Sequence, residues 1–254
     1  MREPIVIKTP AEIVVMREAG RLAALVLKCV CDEIRAGITT AALDAFARDV
    51  MVAHGVRSAF LNYNGYPAHT CISVNETLIH GIPGPRVIKD GDIVSVDVGV
   101  WFEGFVGDNA TTIPVNVTDD GVLKLLRETE NALYAGIAAA KPGVRLGDVS
   151  HAIEVVANKA KLGIVREYVG HGCGRALHEE PQIPNIGVSG RGPILKEGMV
   201  LCLEPMFNLG SRHIKTLSDD WTVVTTDGKY AAHFEHEILI TATGVDVLTK
   251  TDSF

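Results

Sequence analysis

The chain has 254 residues, enough to bury a substantial core as one large domain or two small ones. Hydrophobic residues make up 47% and charged residues 22%, an ordinary globular composition, and the formal charge of −7 gives no support for nucleic-acid binding. No window approaches the roughly 18 uninterrupted apolar residues of a spanning helix, and the opening MREPIVIKTP has no apolar run of signal-peptide length. A cytoplasmic protein is expected, with neither a membrane nor a nucleic acid as partner. Its cysteines (Cys29, Cys31, Cys71, Cys173, Cys202) form an odd set without secretory context, so reduced thiols are expected. Cys29-x-Cys31 falls inside an apparent helix and lacks the second pair that zinc spacing requires.

The first helix opens at Thr9-Pro10-Ala11-Glu12, a capping box with proline at the first helical position. Ile13, Met16, Leu22, Val26, Cys29 and Val30 then recur at helical spacing until Gly37 breaks the pattern. Thr39 or Thr40 can cap a second helix carrying Leu43, Phe46, Val50 and Met51 and ending near Gly55. Strands follow at Ile72–Val74, Ile93–Trp101 and Phe105–Val115, with Glu103-Gly104 turning the last two into a hairpin. Beyond these, residues 121–140 read as a helix stopped by Pro142-Gly143, and 146–161 as another.

The second half thus resembles the first. Lys89-Asp90-Gly91-Asp92-Ile93-Val94-Ser95-Val96-Asp97 aligns without a gap to Lys196-Glu197-Gly198-Met199-Val200-Leu201-Cys202-Leu203-Glu204. Each copy runs lysine, acid, glycine, an apolar-rich strand and a final carboxylate, and Gly37 and Gly143 sit about one repeat apart upstream. A period near a hundred residues suggests a duplicated helix–helix–sheet unit rather than a solenoid.

Carboxylates inside apolar strands are costly without a cation or hydrogen bonds, and this chain places four there: Asp97, Asp108, Glu204 and Glu235. For any one of them a surface ion pair or a cap is the commoner role. Converging from a duplicated sheet, they would repel unless multivalent cations lay between them. Oxygen donors with perhaps one imidazole suit Mn²⁺, Fe²⁺, Co²⁺ or Mg²⁺ better than structural zinc. Two metals sharing carboxylates can acidify a water and polarise a carbonyl. In His233–Ile240, read as one strand, Glu237 falls on the same side as Glu235, and spacing leaves the choice between them open.

His171 stands among glycines in Gly170–Gly174, and His80 and His178 each precede a repeated strand at corresponding places in the two halves. His54, His69, His151, His213 and His233 are expected to be solvated and inert. A dinuclear phosphatase is a rival reading of the acids, and the missing GxxxxGK[ST] loop argues only against P-loop enzymes.

Six segments carry a family resemblance: Asn75–Pro83, Gly91–Gly99, Gly104–Thr112, Val169–Pro181, Glu197–Phe207 and Phe234–Ile238. Over roughly residues 5 to 250 the chain resembles the type I methionine aminopeptidases. The resemblance implies an α+β, pita-bread fold: pseudo-two-fold duplicated helix–helix–sheet units around a central curved, mainly antiparallel sheet. It implies one catalytic domain over 1–254, with halves about 5–118 and 119–250, and removal of the N-terminal methionine from nascent polypeptides whose second residue is small. Two divalent ions (Mn, Fe, Co or similar) are implied on Asp97, Asp108, His171, Glu204 and Glu235. Asp108 and Glu235 would bridge, Asp97 would complete one site, and His171 and Glu204 the other.

By the same resemblance, a metal-bridging water or hydroxide attacks the carbonyl and Glu204 accepts its proton. His178 contacts that carbonyl, and His80 lies near the scissile nitrogen. Phe60, Tyr63, Tyr66, Cys71, Leu177 and Trp221 would line the methionine pocket with His80 and His178. Leu177, Phe60 and Cys173 depart from the family's usual residues, leaving the ligands intact and bearing on pocket shape. A monomer with transient ribosome contact is implied. The X-Pro peptidases of this fold usually carry an additional N-terminal domain, and its non-catalytic members typically lose ligands.

Overall fold

A computed structural model describes residues 4–250; the first three residues of the opening stretch, and the ends of the expected 1–254 domain, lie outside them. The capping box forms as read: Thr9 accepts from the Glu12 amide, and Glu12 reaches back to the Thr9 amide. Helix α1 (Pro10–Asp32) ends before Gly37, because the following segment leaves to meet the irregular stretch around Val87, Gly37 N–H donating to Ile88 O at 2.8 Å. Helix α2 (Thr40–Ala53) is capped by Thr39, and its inward stripe is Leu43, Ala47 and Met51, with Phe46 turned outward.

The next strands are β1 (Arg57–Ser58), β2 (Cys71–Val74), β3 (Thr77–Ile79), β4 (Ile93–Phe102) and β5 (Phe105–Pro114). Helices α3 (Asp120–Ala139) and α4 (Leu146–Ala160) pack on one another. They are followed by β6 (Gly163–Ile164), β7 (Gly170–Gly172), β8 (Glu179–Ile183), β9 (Val200–Leu203) and β10 (Met206–Asn208). The chain ends with β11 (Ile214–Thr216), β12 (Val223–Thr225), β13 (Ala231–His233), β14 (Glu235–Ile240) and β15 (Val245–Val247). The main sheet runs β1-β4-β5-β14-β9-β7-β8, with β2 on β4 and β15 on β14, all antiparallel. Two small sheets, β13-β10-β6 and β11-β12-β3, flank it.

The expected single strand over His233–Ile240 is two. The chain crosses from the small sheet to the main one at Phe234, because β13 pairs with β10 whereas β14 pairs with β9 and β5. The β4–β5 turn is the two-residue one expected, with Glu103 and Gly104 both at positive φ as a primed turn requires.

The duplication is physical. Gly37 N–H donates to Ile88 O and Gly143 N–H to Leu195 O; Gly91 N–H donates to Val115 O and Gly198 N–H to Ile240 O. Gly91 and Gly198 have φ of 91° and 85°, a turn that a Cβ would strain in either half. Strand alternation then sorts the faces. Val94, Val96, Val98 and Val100 face α1 and α2 in one apolar cluster; Leu201, Leu203, Ile238 and Ile240 face α3 and α4 in another. Each such side chain, fully buried, contributes about 1.5–3 kcal/mol. The opposite face of the same strands is where the polar residues fall.

Candidate metal centre and the pocket around it

Two neighbouring rows of cross-strand partners cross that face. One runs Cys71, Asp97, Ala110, Glu235 and on to Glu204, which lies just past the end of β9. The other holds Gly99, Asp108, Glu237, Cys202 and His171. Side chains from both rows open into a cavity of about 250 Å³. Each half delivers acids to it because β4 and β9 start from the same glycine turn and reach the same face.

Asp97, Asp108, Glu204, Glu235 and His171 all line this cavity. Glu237 does not: it is fully buried, and its Oε2 accepts the Asp108 amide at 3.0 Å. The ligand atoms of Asp108, His171, Cys202 and Glu235 lie within 4.8 Å of one another. Among the described residues no lysine or arginine pairs with the four cavity acids, and Asp97 Oδ1, Asp108 Oδ1 and Glu235 Oε1 are buried without a hydrogen-bond partner. Burial first, then the neighbouring acids, pushes the Asp97, Glu204 and Glu235 carboxyls well above the usual carboxylate range; burial raises Asp108 to about 7.

The imidazole is equally poised. His171 Nδ1 lies 3.0 Å from Gly172 O, so the ring proton sits there and the Nε2 lone pair faces Glu204 at 3.5 Å and Asp108 at 3.9 Å. Burial pushes its pKa down to about 3, which keeps it neutral. Orphaned carboxylate oxygens around a neutral nitrogen, with no cation of the protein's own, are a donor set that divalent ions fit.

The remaining expected residues gather around the centre. Phe60, Tyr63, Tyr66, Cys71, Leu177, Trp221, His80 and His178 line the same cavity. Tyr66 meets Trp221 edge-on at 5.0 Å and His80 meets Trp221 at 5.9 Å. His80 has φ 57°, in the left-handed region a non-glycine residue rarely occupies. Burial lowers its pKa to about 4 and also depresses that of His178. Tyr63 Oη lies 2.7 Å from His178 Nδ1. Phe60 fits because it packs over Gly99, where a Cβ would stand 2.5 Å from its ring. Cys173 is buried and outside the cavity lining, so that departure does not shape the pocket directly.

One expectation is corrected. His233, read as solvated, is 2% exposed and lines the cavity, its Nε2 3.6 Å from Glu204 and 3.9 Å from Glu235. Its backbone is pinned by Thr112, whose hydroxyl accepts the His233 amide and donates to its carbonyl. Spacing could not have found it: His233 stands two residues before Glu235, but the chain changes sheets at Phe234 between them. Ile79 is a second lining residue not singled out beforehand.

An acid–imidazole cluster in a cavity on a curved antiparallel sheet defines a metal-dependent hydrolase. Residues 14–242 match the model of metallopeptidase family M24. The chain is 52% identical over 246 residues to methionine aminopeptidase 1 of Bacillus subtilis, covering 97% of this chain and 99% of that one. It is 45% identical to the methionine aminopeptidase of Clostridium perfringens, over 96% of this chain and 98% of that one. The crystal structure of methionine aminopeptidase from Thermotoga maritima superposes with a TM-score of 0.96 at 45% identity, covering 98% of this chain and all of that one. The prolidase of Pyrococcus furiosus, 24% identical with a TM-score of 0.79, shares the fold; the match takes in 97% of this chain and 66% of that one. The chain therefore belongs to the methionine aminopeptidases of family M24, metallopeptidases that remove N-terminal methionine.

Proposed function

We propose that Asp97, Asp108, His171, Glu204 and Glu235 hold two divalent cations, with Asp108 and Glu235 shared between them, in one catalytic domain spanning 1–254. The observation that carries this reading is the set of buried carboxylate oxygens that no donor satisfies. Bound there, manganese, iron, cobalt or a similar ion supplies Lewis acidity toward the scissile carbonyl and lowers the pKa of a water.

The chain's own groups do the rest. Glu204, at the cavity beside the proposed ions, takes the proton from the attacking water. With the Tyr63 hydroxyl, 2.7 Å away, donating to His178 Nδ1, the neutral ring would carry its proton on Nε2, where it can donate to the scissile carbonyl oxygen. His80, kept neutral by burial, faces the scissile nitrogen. Phe60, Tyr63, Tyr66, Cys71, Leu177 and Trp221 make an apolar slot suited to a thioether.

The substrates are nascent chains whose second residue is small, cleaved in the cytoplasm by a monomer in transient contact with the ribosome. No described helix is long and apolar enough to cross a membrane. The test is a peptide panel on chelated protein with Mn²⁺, Fe²⁺ or Co²⁺ restored. Metal-dependent release of methionine from Met-Ala peptides, with little from peptides bulky at the second position, is expected. Cleavage of X-Pro peptides in preference to Met-Ala peptides would overturn it.

A further inference from the structure

Lys8 is a buried cation outside the cavity. Its side chain is 2% exposed, and Nζ lies 2.5 Å from Glu179 Oε2. A charged ammonium is rarely enclosed unless its partner is fixed, and Glu179 is fixed at both oxygens. Oε1 accepts the Arg175 amide at 2.8 Å and the Ala176 amide at 3.3 Å, so one carboxylate ties the loop between β7 and β8 to the segment before α1. Lys8 is itself anchored, its N–H donating to Gly198 O at 2.8 Å, within the second copy of the repeated turn. Gly174 lies hard against the pair: a Cβ there would stand 2.5 Å from Lys8 Nζ and 2.6 Å from Glu179 Oε1. A second link, Arg175 to Glu12 of α1, is exposed and weaker.

The loop so clamped carries His178, next to Glu179. From the other side, among the described residues, only the Tyr63 hydroxyl holds that imidazole by a hydrogen bond. We propose that Lys8 is a positioning residue for catalysis, acting through Glu179 to hold His178 at the cavity. Without the ammonium, the mostly enclosed Glu179 carboxylate, 12% exposed, loses its counter-charge and turns toward water, releasing the Arg175 and Ala176 amides. The loop then loosens, and His178 leaves the geometry in which Nε2 meets the substrate. Misplacements of about 1 Å are enough to cost a large factor in rate.

The inference rests on the role given above to His178, and a double-mutant cycle separates the two. Lys8→Met, His178→Ala and the double variant are assayed for kcat and KM on a Met-Ala peptide with Mn²⁺, with Tm and metal content measured for each. The expected result is a fall in kcat of about tenfold or more for Lys8→Met, with metal content unchanged and no further fall when Lys8→Met is added to His178→Ala. Equal losses in both backgrounds would overturn the inference, as would full kcat in a Lys8→Met protein that has merely lost Tm. Full turnover in His178→Ala would instead remove the role of His178. Should Lys8→Met fail to fold, Glu179→Gln, which keeps an oxygen for the loop amides and abolishes the ion pair, serves in the same cycle with the same outcomes.

Discussion

The two halves start from one plan and end in different chemistry. In the first, the turn at Gly91 launches β4, which returns directly as the long β5, so that Asp97 and Asp108 both come from one unbroken hairpin. In the second, the turn at Gly198 launches β9, only four residues long, and the chain leaves the main sheet after Leu203, passing Glu204 and Pro205 to form β10 in a small sheet. The second half thus brings three imidazoles to the cavity (His171, His178 and His233), against one, His80, from the first and none from the hairpin itself. Duplication conserved the hydrogen-bonded frame, whereas strand length decided which donors could enter.

The sharpest break of this comparison removes a carboxylate proposed to serve both ions. Asp108→Asn or Glu235→Gln is expected to lower kcat/KM by at least about 10²–10³-fold and to reduce metal content at both positions, measured by elemental analysis after dialysis. Retention of two ions per chain would show that the halves bind independently. Next in size, His171→Ala and Asp97→Asn should each weaken one ion and spare the other. Titration with Co²⁺ should then show one tight site in each variant, with different visible spectra because only one half supplies nitrogen.

The shared frame has its own test. Gly91→Ala and Gly198→Ala both force a Cβ onto positive φ, at about 1–2 kcal/mol. A Cβ at residue 91 meets nothing within 4 Å, whereas one at residue 198 would come within 2.8 Å of Ile7 and 2.9 Å of Lys8 O. Chemical denaturation should therefore show the larger loss for Gly198→Ala; equal losses would refute the packing difference.

The smallest effect is one of pH. In the metal-free protein, burial holds Asp108 at about 7, above its unfolded value near 3.8. A carboxyl raised on folding stabilises most below its unfolded pKa, and that contribution disappears as pH rises through the folded value. Relative to an Asp108→Asn variant, in which every other group titrates alike, chelated protein should thus lose Tm between about pH 4 and 7, and saturating Mn²⁺ should flatten that slope. An unchanged slope would mean that the acids do not share the ions.

Much of this was legible beforehand, for identifiable reasons. The capping box at Thr9, the glycine turns and the acids closing two apolar strands are local patterns with local causes, so the frame and the acid cluster could be read from spacing, while the choice of Glu235 over Glu237 came only from the resemblance. The errors share another origin. Whether Phe46 faces in or out, where α1 stops, and that His233–Ile240 breaks at Phe234 depend on which distant strand each segment meets. His233 was misjudged for that reason: its burial comes from β10 and Thr112, far away in sequence. The cavity lining around the acids could be anticipated only by resemblance, because nothing in the spacing says that Phe60 will lie over Gly99.

The central claim is that the buried acids are assembled around divalent ions, and calorimetry of the chelated protein with Mn²⁺ at pH 6.5, in two buffers of different ionisation enthalpy, tests it most directly. Two ions per chain are predicted, with proton release, since Asp97, Asp108, Glu204 and Glu235 are raised by burial and must ionise to bind. Binding with no proton release, or a stoichiometry that survives loss of both Asp97 and Glu235, would contradict it.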